Sequence, residues 1–107
     1  MMKAILRISA ILVCASAVMS AWAEQPAAGV FKTKCAPCHG AVGDASTPAG
    51  KALKVPSFTS EEVLKETDAN LLDIATNGKG KMPAWRDKLS DDQLKDLIVF
   101  IRTMQKK

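Results

Sequence analysis

One histidine and three cysteines are the only strong soft-metal ligands in this 107-residue chain. A structural zinc ion takes four such ligands. Cys14 lies far upstream in the apolar leader treated below, and after Cys35, Cys38 and His39 the chain holds no further Cys or His, so a zinc site fails on count. Long apolar runs are also missing. The uncharged stretch from Ile8 to Met19 falls short of the roughly 20 residues that a bilayer-crossing helix needs. No β-branched run and no aromatic neighbour of the expected kind precede Cys35. Cys-Ala-Pro-Cys would suit a thiol-disulfide oxidoreductase, whose chemistry needs a low thiolate pKa at a helix N-terminus. Such a site should follow a strand inside a βαβ unit, and that context is lacking. A structural disulfide would close a very tight loop and leave His39 without a role.

What is present is the pentapeptide Cys35-Ala36-Pro37-Cys38-His39. Cys-x-x-Cys-His is the attachment pattern of c-type haem. With two residues between them, the thiols reach the two vinyl groups on one porphyrin edge, and the next residue delivers an imidazole beneath the iron. One short motif thus fixes the cofactor, its orientation and its proximal ligand, His39.

Ahead of the motif stands an export signal. Lys3 and Arg7 form a positive n-region, the apolar stretch follows, and Ala21-Trp22-Ala23 is a small-x-small cleavage site. Residues 1–23 are therefore expected to be a cleaved signal peptide, with residues 24–107 as a single domain. A retained membrane anchor is the rival reading. Cys14 lies within the leader behind Val13, too bulky for a lipoprotein site, and leaves with it, so Cys35 and Cys38 are the mature chain's only cysteines. The whole chain carries +4, from 15 basic and 11 acidic residues. Losing Lys3 and Arg7 halves that excess, and haem propionates would offset the remainder. The basic pI is thus no sign of nucleic-acid binding.

The pattern predicts an all-α domain of four to five helices and no sheet. Residues 25–34 read as a short helix carrying the motif at its C-terminal end, with Pro26 in the first turn. Residues 40–58 are punctuated by Gly43, Pro48, Gly50 and Pro56 and read as a loop wrapping one face of the haem. Thr59 to Glu62 resembles a capping box opening a brief helix. Asp68 is expected to cap another, ending at Asn77-Gly78. Ser90 and Gln93 form a further capping pair, ahead of Leu94, Leu97, Ile98, Ile101 and Met104 at helical spacing.

Between the last two helices lies Asn77-Gly78-Lys79-Gly80-Lys81-Met82-Pro83-Ala84-Trp85. Met82 is the candidate sixth iron ligand, a neutral soft thioether that favours ferrous iron and raises the reduction potential. Pro83 restricts the backbone behind it. The alternative for Met82 is the common fate of methionine, filling a gap in the core. Met104, within the C-terminal helical pattern, suits that role better.

An N-terminal helix ending in Cys-x-x-Cys-His, a wrapping loop, a Gly-Lys-Met-Pro loop and a C-terminal amphipathic helix follow in that order. This arrangement resembles the small soluble class I cytochromes c of bacteria over residues 24–107. The resemblance implies the cytochrome c fold around one covalent haem c held by Cys35 and Cys38, with His39 and Met82 axial and Phe31 packed near Phe100. It also implies a loop proline whose carbonyl accepts the proton of the proximal histidine's Nδ1. Pro48 and Pro56 are the candidates, and Pro56-Ser57-Phe58 fits the family's proline-x-apolar step better. Trp85 stands either beside the haem or a propionate, or in the plain core.

Two axial protein ligands leave no iron position for substrate, which points to a periplasmic one-electron carrier rather than an enzyme. Its partners would be periplasmic redox proteins, with no nucleic acid and no lasting membrane insertion. Lys79 and Lys81 either steer an acidic partner or are plain solvated lysines. A labile Met82 would instead give a gas-binding or peroxidatic protein, which usually carries a second histidine that this chain lacks. A third possibility is an electron-transfer subunit of a larger oxidoreductase.

Overall fold

A computed structural model describes residues 25–106. The expected leader, residues 1–23, lies outside the described residues. Helical turns run unbroken from residue 27 to residue 39 as α1 (Ala27–Val30), a π-helical turn (Phe31–Cys35) and α2 (Ala36–His39). Four more helices follow: α3 (Pro48–Ala52), α4 (Glu61–Leu64), α5 (Asp68–Asn77) and α6 (Asp91–Gln105). The described residues hold no strand, only an isolated bridge between Lys79 and Met82. The all-α expectation holds.

The core forms where the N-terminal helical run meets α6. Val30 and Phe31 are buried against Leu94, Leu97 and Ile98, with Phe58, Ala75 and Leu89 completing the cluster. Phe31 meets Phe100 with ring centroids 5.4 Å apart and planes tilted 56°, the contact expected between the first and last helices. Tilted aromatic pairs at this distance add roughly 0.5–1.5 kcal/mol beyond area burial.

Several local expectations are corrected. The first helix does not stop at residue 34 but continues through the motif, because Pro37 falls in the first turn of α2, where a missing N–H costs nothing. Gly40, at φ +82°, ends it. The loop from 40 to 58 contains a helix too short to show periodicity. Thr47 caps it by accepting from the Gly50 amide at 3.0 Å, and its hydroxyl donates to the Pro37 carbonyl at 2.8 Å, tying α3 to the motif helix. Pro48 is the first residue of this helix. Thr67, not Asp68, caps α5, accepting from the Asn70 amide at 3.1 Å. No capping box forms at Thr59. Its hydroxyl pairs with that of Ser57, and α4 starts after Ser60, whose side chain makes no cap bond. The Ser90–Gln93 box is present in full.

Gly50 is buried where α3 presses on the motif. A Cβ there would touch the Cys38 carbonyl oxygen and lie 2.6 Å from that of Ala45. Both neighbours are backbone and cannot swing away. Gly50→Ala is expected to destabilise the protein by about 1–3 kcal/mol, the usual cost of overpacking. A fall in the thermal midpoint of Gly50→Ala relative to wild type checks it.

Candidate functional site

The six residues singled out in the sequence converge. Cys35, Cys38, His39, Pro56, Met82 and Trp85 all line one cavity of about 680 Å³. That volume lies in the range of cofactor sites. Its remaining walls are mostly apolar, with Leu71 and Ile74 from α5 and Leu97 and Ile101 from α6.

The α2 turn presents the motif. Cys35 and Cys38 are half-buried and unbridged. Burial pushes the Cys35 thiol up to about 11, with the Lys34 charge opposing and Cys38 adding to the rise. A redox-active Cys-x-x-Cys needs the opposite shift, toward a stable thiolate. The thiol-disulfide reading therefore fails on electrostatics as well as on context. Burial also lowers the pKa of His39 below its ordinary value of 6.5, which keeps the imidazole neutral and its lone pair available. Its Nδ1 is buried without a hydrogen-bond partner, so neither Pro48 nor Pro56 accepts from it. Pro56 is a wall residue of the cavity.

Met82 is placed by its own loop. Lys79 and Met82 exchange two backbone hydrogen bonds, at 3.1 and 2.9 Å, closing a tight turn with Gly80 at φ +56°. The loop is then pinned back on α5, with the Trp85 amide donating to the Ala75 carbonyl at 3.1 Å and the Arg86 amide to that of Thr76 at 3.2 Å. Gly78, at φ +79°, leaves room for this return. A Cβ there would lie 2.6 Å from the Met82 carbonyl oxygen. Trp85 both lines the cavity and packs on the core. The ammonium groups of Lys34 and Lys88 lie 5.6 and 5.3 Å from its ring centroid, within cation–π range.

One contact was not foreseen. The Phe58 ring stacks on His39 with centroids 4.7 Å apart and planes 23° from parallel. Its only signal in the sequence was the Pro56-Ser57-Phe58 step.

Two free thiols, a neutral imidazole and a thioether around one apolar cavity fit haem c. The comparisons agree. A family model described as "Cytochrome C oxidase, cbb3-type, subunit III" matches residues 23–101. Cytochrome c6 of Leptolyngbya boryana is 38% identical over 72 residues, which cover 67% of this chain and 81% of that one. The cbb3-type cytochrome c oxidase subunit CcoP of Azospirillum brasilense is 34% identical over 77 residues, covering 70% of this chain but 26% of the subunit. The solved c-type cytochrome KustC0563 shares the fold with a TM-score of 0.70 at 24% identity, over 77% of this chain and 100% of its own. Fold and site together define a small c-type cytochrome, with covalent haem c as its cofactor. Within that class, the chain belongs to the family described by the cbb3-type subunit III model.

The lowered His39 pKa fixes the sign of the pH dependence. A base held neutral by the fold contributes stability above its unfolded value near 6.5, and that stability is lost as pH falls toward the folded value. Ligation to iron would extend the loss to lower pH. Titration of the oxidised spectrum should show an acid transition to high-spin iron below pH 6.5. A transition above that pH would contradict the burial of His39.

Proposed function

We propose that this chain is an exported one-electron carrier in which Cys35 and Cys38 hold haem c by thioether bonds and His39 and Met82 occupy the axial positions. The observation that carries the reading is the convergence of those four side chains on one apolar cavity of about 680 Å³. When bound, the haem supplies a ferric/ferrous couple. The protein's part is to position and insulate it. His39 offers a neutral nitrogen, Met82 a soft sulfur that favours the ferrous state, and the walls from α5 and α6 keep water from the iron. Pro56 and Trp85 complete the haem surroundings.

Redox proteins are the partners. Lys34, Lys54, Lys79 and Lys81 border the cavity against only Glu62 and Glu66. This surplus suits a partner with an acidic docking surface, bound quickly and weakly and released by salt. The leader at residues 1–23 would deliver the chain to the periplasm. The family match begins at residue 23, where that leader would end.

The cbb3-type family description and the likeness to CcoP favour one further reading, that of an electron-transfer subunit in a larger oxidoreductase. Recovery of the chain in fixed stoichiometry with an oxidase would establish it.

The test is to export the protein with haem-attachment machinery and record its spectra. Haem colour should persist on a denaturing gel, the reduced spectrum should be low-spin, and the oxidised form should show the far-red sulfur-to-iron band. Met82→Ala should abolish that band, lower the potential, and let reduced iron bind carbon monoxide. If Met82→Ala kept the wild-type spectrum, Met82 would be no ligand.

A further inference from the structure

The last turn of α6 makes contacts that haem binding does not explain. Gln105 donates from Nε2 to the Phe58 carbonyl at 2.8 Å, and its Oε1 accepts from Arg102 Nη1 at 2.9 Å. Arg102 donates from Nε to Asp68 Oδ1 at 2.7 Å and from Nη2 to the Glu66 carbonyl. Its guanidinium is thus tied to the α4–α5 junction and, in turn, sets which way the Gln105 amide faces.

We propose that Phe58 is a positioning residue for the proximal imidazole, and that Gln105, oriented by Arg102, holds Phe58 in register, so that the last turn of α6 helps set the plane of the His39 ring. The inference rests on His39 being an axial ligand. An imidazole is commonly oriented by a hydrogen bond at its second nitrogen. Here the imidazole is also held across its face, by the Phe58 ring stacked on it. The 4.7 Å, 23° stack would be lost if either ring turned. Phe58 cannot slide along its strand of loop. Its amide donates to the Gly43 carbonyl at 2.8 Å while its own carbonyl takes the Gln105 bond. Phe31 also packs against the ring, tilted 56° at 6.0 Å.

The plane of the axial imidazole governs its overlap with the iron d orbitals, and hence the magnetic anisotropy of ferric haem. That supplies a readout separate from electron-transfer activity. The experiment compares proton NMR shifts of the haem methyls and EPR g values in ferric, haem-loaded wild type, Phe58→Leu, Phe58→Tyr and Gln105→Glu. Phe58→Leu keeps an apolar group but loses the flat face, and should reorder or compress the methyl shifts. Phe58→Tyr keeps the ring and should retain the wild-type pattern. Gln105→Glu keeps an acceptor for Arg102, removes the donor to Phe58 and sets a carboxylate oxygen against the Phe58 carbonyl. It should move the pattern in the Phe58→Leu direction by a smaller amount.

Variants that melt earlier yet keep the wild-type methyl pattern would show that Phe58 is core packing alone, and would overturn the proposal. Gln105→Glu decides the matter even if Phe58→Leu fails to fold. A wild-type protein without low-spin His/Met iron would overturn the axial reading and this proposal together, and is recognised before any variant is compared.

Discussion

Burial of one porphyrin between apolar walls is the interaction on which the rest of the structure depends. Two of its long-range features serve it directly. The crossing of the N-terminal helical run with α6 holds the motif on one side, and the Lys79–Met82 turn delivers a thioether to the same cavity. A domain this small has little apolar core of its own. Removing roughly 400 Å² of porphyrin and pocket surface from water, at about 25 cal/mol per Å², contributes on the order of 10 kcal/mol before ordering costs. The whole stability of a typical domain is about 5–15 kcal/mol. The cofactor is therefore as much a structural element as a redox centre.

The site and the core are also one network. The rings of His39, Phe58, Phe31 and Phe100 follow one another at 4.7, 6.0 and 5.4 Å, leading from the motif to the middle of α6. The two candidate axial residues are held differently. Met82 is fixed by the backbone bonds of a tight turn, whereas His39 is fixed by its helix and by a stacked ring.

Whatever depends on residue type at fixed spacing was legible in the sequence. Cys35, Cys38 and His39 declare a chemistry by their order. Met82 stands out because glycines and a proline surround it, and the Ser90–Gln93 box announces α6. Features decided by a single turn or by tertiary contact were not legible. The helix α3 is five residues long, below any periodic window, and the π turn over Phe31–Cys35 leaves no compositional trace. Thr67 and Asp68 are both good caps, and in the structure Thr67 takes the cap while Asp68 pairs with Arg102. The Arg102–Gln105–Phe58 relay joins residues 47 positions apart, and no local pattern records it.

If the porphyrin completes the core, the chain made without it should not fold cooperatively. The most direct measurement is far-UV circular dichroism through a thermal ramp, comparing haem-loaded protein with the same chain produced without haem attachment. The account predicts a sharp transition for the first, and for the second reduced helix content with a broad, shallow melt. A haem-free chain with the same helix content and an equally sharp transition would contradict it, because the side chains alone would then suffice to hold the fold.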